Sequence, residues 1–242
     1  MLNGKVFGEQ GLEREYDYIF TRAVDLHHES MHLSRANGLD ISKARVLNEE
    51  AQKLDKDLQV WAAHIPNSCT PVVCKLLESK SFPQKHFYSS KVYSYPTPGH
   101  SGAWSQLYSL RLLINSTRSR LLKAIESDLF DEFSLEKERL ECITQLQAIA
   151  DDLTSSLPFC LDRFKMDSSS PPGQPQSVIL NVNDEIKPYL ATFAVWPLTI
   201  ACSADGIDAK QQQWFRSELA SIGKVTGDAI LESAANHRWD VL

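Results

Sequence analysis

At 242 residues the chain is long enough to bury most of the surface its unfolded form exposes, so neither a metal nor a disulfide is needed to hold it folded. Hydrophobic residues make up 43% and charged residues 23%, the balance of an ordinary water-facing globular protein. A net charge of −6, with Lys and Arg scattered rather than clustered, argues against binding along a phosphate backbone and so against direct DNA binding.

The first predicted element is a helix from Leu12 to about Asn37, where Tyr16, Ile19, Phe20, Ala23, Leu26 and Leu33 recur at helical spacing and Asn37-Gly38 supplies the stop. A second helix starts at Ile41-Ser42, carries Leu47, Leu54, Leu58 and Trp61 on one stripe, and ends before Pro66. Residues 66–102 read as one long ordered loop. They hold five prolines (Pro66, Pro71, Pro83, Pro96, Pro98) and the aromatics Phe82, Phe87, Tyr88, Tyr93 and Tyr95. Helix three is expected over Ala103–Ser127 and helix four over Ser134–Leu157, with Pro158 as terminator. Residues 166–178, rich in Ser, Pro and Gly, read as a mobile loop. Helix five is placed at Asp184–Cys202, with Asp184 as N-cap, Pro188 in the first turn and Pro197 inside. Helix six runs from Asp208 to about Ala235. No strand-like alternation exceeds a few residues. The expected class is all-α, an irregular multi-helix bundle of about six main helices in a single domain spanning 1–242.

Five cysteines (Cys69, Cys74, Cys142, Cys160, Cys202) form no Cys-x-x-Cys pair, which removes zinc fingers and thioredoxin-type sites and suits a reducing compartment. No basic-then-apolar leader opens the sequence, and the apolar run 189–202 is too short to span a bilayer. Cytoplasm or nucleus is the expected location, with no membrane partner and no cofactor.

His28-Glu29-Ser30-Met31-His32 spells H-E-x-x-H. On a helix this string puts two imidazoles on one face to ligate zinc, beside a carboxylate that polarises bound water. Glu49 is the candidate third ligand. The gap from His32 to Glu49 is short for that chemistry, Gly38 interrupts it, and no strand edge is available to present a peptide substrate. A plain surface-to-boundary helix face accounts for the string, with His27 pointing off the metal face. No Gly-x-Ser-x-Gly elbow anchors a serine hydrolase, and no Gly-rich loop cradles phosphate. Pro98-Gly99-His100-Ser101-Gly102 reads as a loop turning into a helix capped by Ser101, or else as a loop over a pocket with His100 as proton carrier. Trp104, Tyr108 and Arg111 share a helix face. Core packing, with Arg111 paired to a carboxylate, is the plain account, and a ligand-cavity wall is the functional one. Trp196 and Trp214 carry the same two readings.

Four segments taken together resemble a known family. They are Leu54-Asp55-Lys56-Asp57-Leu58-Gln59-Val60-Trp61 running to Pro66; Trp104 to Asn115; Ser155-Ser156-Leu157-Pro158-Phe159; and Trp196-Pro197-Leu198-x-x-Ala201 continuing through Ile222-Gly223 and Gly227. In order and spacing these are similar to the C-terminal regulatory region of fungal zinc-cluster (Zn2Cys6) transcription factors. The resemblance implies an all-helical fold, a fungal origin, and regulation through ligands or protein partners, with no catalytic residues. The six-cysteine cluster and basic linker of that family do not occur in this sequence, so DNA reading by that route is not expected.

The expected function is therefore a stand-alone helical protein that binds a hydrophobic small molecule or a protein partner. The alternative is a secondary-metabolism enzyme, a cofactor-independent cyclase or pericyclase (Diels–Alderase-type) that uses an inter-helix pocket as template without metal. A zinc hydrolase through His28, His32 and Glu49 ranks third. The expected pocket lies between helices three, five and six under the 82–102 loop, and its candidate residues are Tyr93, Tyr95, His100, Trp104, Tyr108, Arg111, Trp196 and Trp214.

Overall fold

The computed structural model describes residues 9–35, 40–76, 81–126, 132–166, 178–181 and 185–235. Seven α-helices lie among them: α1 (Glu9–Arg35), α2 (Ile41–Ala63), α3 (Pro98–Glu126), α4 (Glu132–Cys160), α5 (Pro188–Ser203), α6 (Ala209–Thr226) and the short α7 (Ala229–Glu232). Two antiparallel ribbons accompany them, β1 (Val72–Lys75) with β2 (Lys91–Ser94), and β3 (Phe164–Met166) with β4 (Val178–Leu180). The class is all-α, as the helical periodicity requires. The chain forms two compact units, Met1–Pro66 with Leu110–Leu146, and Asn67–Ser109 with Gln147–Leu242, and both α3 and α4 run from one into the other.

In the first unit, α2 buries Ala44, Leu47, Ala51, Leu54 and Leu58 at alternating steps of three and four, and α1 buries Ile19, Ala23 and Leu26. Asp40 caps α2, its carboxylate accepting from the Lys43 N–H at 3.0 Å. Inside this apolar frame sits a polar knot. Asp55, only 3% exposed, accepts from Arg111 Nε (2.8 Å) and Nη2 (3.0 Å), from Asn115 Nδ2 (3.0 Å) and from Gln59 Nε2 (2.6 Å). Four donors offset the desolvation of one carboxylate, and stranding either charge of such a pair costs about 3–5 kcal/mol.

The second unit departs from expectation in its loop. Residues 66–102 hold a short 3-10 turn at Asn67–Cys69, the β1–β2 hairpin and the first turn of α3. The hairpin pairs Val73 with Tyr93 and Cys74 with Val92. Strand pairing escapes a periodicity search because each strand has only four residues. Cys74, Phe87, Val92 and Phe164 form a small apolar core beneath the ribbons, with Phe82, Phe159 and Leu180 packed against it. α3 starts at Pro98, not Ala103. Its cap is Thr97, whose Oγ1 accepts from the His100 N–H at 3.3 Å, with proline in the first helical position where no N–H is needed. Ser101 is not the cap; it lies within the helix and is buried.

α4 begins before Ser134 and continues through Pro158 to Cys160, because a proline in the last turn removes only one ladder bond. The Leu161 and Arg163 N–H groups close that end on Leu157 and Pro158 carbonyls at 3.0 and 2.8 Å. Met166 and Val178 pair across β3 and β4; residues 167–177 of the expected mobile loop lie outside the described residues, as do the Asn37-Gly38 stop and the Asp184 cap. α5 starts at Pro188. α6 is capped by Asp208, which accepts from the Lys210 and Gln211 N–H groups, and it ends at Thr226 instead of reaching Ala235. Gly227, at φ 73°, turns the chain left-handed, and Asp228 caps α7 afresh. Among the described residues no helix is long and apolar enough to cross a membrane.

Candidate functional site

The tight turn that follows β1 brings the first functional side chain into place. Gln84 and Phe87 exchange backbone hydrogen bonds at 2.8 and 3.2 Å, leaving Lys85 and His86 as the two corner residues. His86 adopts φ 71°, a left-handed value that glycine or asparagine usually fills at such a corner. Its imidazole reaches α6, where Nδ1 lies 3.1 and 3.3 Å from the two carboxylate oxygens of Glu218. Both side chains are buried, 10% and 4% exposed. A carboxylate so placed accepts the Nδ1–H and fixes the ring's tautomer and direction, and the same contact opposes the backbone strain at His86.

Beside this pair lies a cavity of about 690 Å³. The turn contributes Pro83, Gln84 and Lys85, and one face of α6 contributes Lys210, Gln213, Trp214, Ser217, Glu218 and Ser221. These α6 positions follow the three-and-four spacing of a single helix face. Trp214 forms the aromatic floor, with its ring 5.5 Å from Phe215 and 6.1 Å from Tyr88. Its indole N–H is buried with no hydrogen-bond partner among the described residues, an unmet donor in the wall. Tyr88 donates to Asp208 at 3.3 Å, and its phenol titrates above the usual range, first through burial and then through the Asp208 charge. The cavity is lined by an apolar ring face, by Lys85 and Lys210, and by one carboxylate in contact with an imidazole.

Trp214 is the member of the expected pocket set that lines this cavity; the other seven do not. Tyr93, Tyr95, Trp104 and Tyr108 do come together, as a packed polar–aromatic cluster. Tyr93 donates to Asp152 at 2.6 Å under the ammonium of Lys91, which lies 4.7 Å from the ring centre. Tyr108 hydrogen-bonds Tyr95, Tyr95 donates to Ser156 at 2.9 Å, and Ser156 meets Ser105 at 3.0 Å. Burial raises the Tyr95 and Tyr108 phenols well above their ordinary value, so both stay neutral. Trp104 makes a tilted ring contact with Tyr108, 5.9 Å between centres, and donates its indole N–H to the Cys69 carbonyl at 2.9 Å. His100 sits at the start of α3, Nδ1 2.7 Å from Thr97 Oγ1, and Trp196 is half-buried in α5. Arg111 belongs to the first unit, in its ion pair with Asp55. His86 and Glu218 were not visible in the sequence, because 132 positions separate them and neither sits in a motif.

The H-E-x-x-H string has the helical geometry its spacing demands. His28 and His32 stand exposed with Nε2 atoms 3.0 Å apart. The rest of a zinc centre is not assembled around them. Glu29 is paired with Lys43 at 3.4 Å, and among the described residues no group of three His, Cys, Asp or Glu side chains is placed to hold a metal ion. His27 points the other way, accepting at Nδ1 from Arg120 Nη2 at 2.8 Å beside Thr117. Burial, then the Arg120 charge, pushes its pKa down to about 4.

A scan against protein-family models finds no match, and searches of the curated proteins and of the solved structures find none either.

Proposed function

We propose that this protein binds a small organic anion in the cavity between α6 and the Pro83–Lys85 turn. In this reading a flat apolar body lies against Trp214 and Pro83, and an acidic group sits between Lys85 and Lys210. The cavity itself carries the reading. At about 690 Å³ it falls within the range that encloses drug-sized ligands, and its lining combines one aromatic platform with a few charged groups. Kinship with zinc-cluster regulatory regions belongs to the same proposal and rests on the four segments quoted above. An all-helical, ligand-responsive unit is what that kinship would supply.

Aromatic carboxylates such as 2-naphthoate are suitable probes. A ligand at 100 times its Kd adds about 2.7 kcal/mol of stability, which for a chain of this size is a Tm rise of roughly 5–10 °C. Saturable binding should be lost in the double variant Lys85→Glu, Lys210→Glu, whose substitutions lie at exposed positions. The proposal fails if no carboxylate binds saturably, or if the double variant binds as tightly as the wild type.

One observation favours a catalytic extension, a cyclase-type template, in the same cavity. The buried His86–Glu218 pair sets an oriented carboxylate, Glu218, in the cavity wall, placed for proton transfer beside a bound ligand. Glu218→Gln should then abolish turnover of any ligand found above while its binding persists; unchanged turnover removes the extension.

A further inference from the structure

The seam between α1 and α2 carries charge at steps of seven residues on each helix. Along α1 the series is Glu15, Arg22, Glu29; along α2, running the opposite way, it is Asp57, Glu50, Lys43. Two of the three rungs are acid–base pairs: Arg22 bonds Glu50, and Lys43 lies 3.4 Å from Glu29. The third sets Glu15 and Asp57, two carboxylates, into the wall of one cavity. Among the described residues neither has an ion-pair or hydrogen-bond partner. The other two rungs match an acid to a base, and this one, acid with acid, breaks the pattern that they follow.

The cavity at this rung is about 230 Å³ and is completed by Tyr18, Ile19, Val60 and Trp61. Tyr16 packs against Trp61 in a tilted contact, 5.0 Å between ring centres, and helps fix that indole in place. Tyr18 and Val60 are exposed at 66% and 52%, an apolar rim around an acidic, aromatic hollow. The volume is below what encloses a whole drug-sized ligand and suits a single long side chain. Aromatic faces attract cations through their quadrupole, and two carboxylates add direct Coulomb attraction.

We infer that this hollow takes the arginine or lysine side chain of a protein partner, which supplies the cation missing from the third rung. The stem of the side chain lies along Tyr18, Ile19 and Val60, and its head reaches Glu15, Asp57 and the Trp61 ring. This site belongs to the α1–α2 hairpin alone, so it stands or falls independently of the anion cavity on α6.

The test is a titration of the full chain with a capped Gly-Arg-Gly peptide, with a Gly-Glu-Gly peptide as control, read on the Trp61 indole resonance. Saturable shifts are expected with the basic peptide only. The double variant Glu15→Gln, Asp57→Asn should weaken binding at least ten-fold while its Tm stays level, because neither carboxylate has a hydrogen bond or ion pair among the described residues to lose. Absence of any shift at about 10 mM peptide would overturn the inference, since a single anchored side chain should bind in the millimolar range. Equal binding by the double variant, or by the acidic peptide, would also overturn it. A third contrary result is binding of free butylguanidinium with none of the peptide, which would assign the hollow to a small molecule instead.

Discussion

His27 shows how a single side chain can set the acid limit of this fold. Its ring accepts a hydrogen bond from Arg120, and burial together with that guanidinium holds it unprotonated, its pKa down at about 4 against an ordinary value near 6.5. Above pH 6.5 both folded and unfolded chains carry it neutral, and it contributes no pH dependence. Between about 6.5 and 4 only the unfolded chain takes up the proton, so stability is lost as the pH falls through that window and levels off below it. Thermal unfolding measured from pH 7 to 4 should show Tm falling, and His27→Gln should flatten part of that fall. An identical slope in the variant would assign the acid sensitivity to other groups. The neighbouring His28 and His32 of the H-E-x-x-H string stand exposed on α1, while His27, just outside the string, packs against Arg120 and Thr117.

At the scale of elements, two glycines four residues apart do two separate jobs. A Cβ on Gly223 would stand 2.2 Å from the Glu232 backbone nitrogen, so α7 can close on α6 only over a bare Cα. Gly227 has open space around it but a φ of 73°, and it is needed for its conformation. Gly223→Ala should therefore cost roughly 2–3 kcal/mol, as overpacking does, and Gly227→Ala about 1 kcal/mol. Urea unfolding of the two variants checks the order, and a larger loss at Gly227 would refute the backbone clash. The Ile222-Gly223 and Gly227 elements were legible in the sequence as a pattern; what they do was not, because close approach and handedness are tertiary facts. Long helices were legible throughout, since their stripes repeat over many turns. The β1–β2 hairpin was hidden by its four-residue strands, and the Pro98 start of α3 by a glycine-rich stretch that reads as loop. At the site, Trp214 could be singled out from its helix face. Its partners could not, because Glu218 looks like any surface glutamate until the Lys85-His86 turn is folded against it. Arg111 needed only the plain account, a buried cation matched to a carboxylate.

For the molecule as a whole, the cysteines report on how far the two units share one stability. All five thiols are free, with Cys69 half-buried and the other four buried. Burial pushes Cys142 up to about 11 and Cys160 and Cys202 up to about 12. At pH 8 each therefore holds on the order of a hundredth, or less, of the thiolate of an ordinary cysteine, and the thiolate is the species that reacts. Native protein treated with a thiol reagent should label Cys69 quickly and the rest only on opening. Cys142 and Cys160 then make an internal comparison, since both lie on α4, one in the first unit and one in the second. A helix that supplies buried residues to both cores, Leu146 to one and Leu153 and Leu157 to the other, cannot unravel at one end without loosening the ladder that holds the next turn. Labelling across a urea series should accordingly expose both cysteines over one transition. Exposure of Cys142 at a clearly lower urea concentration than Cys160 would show instead that the first unit opens on its own, with α4 melting back only to Gln147.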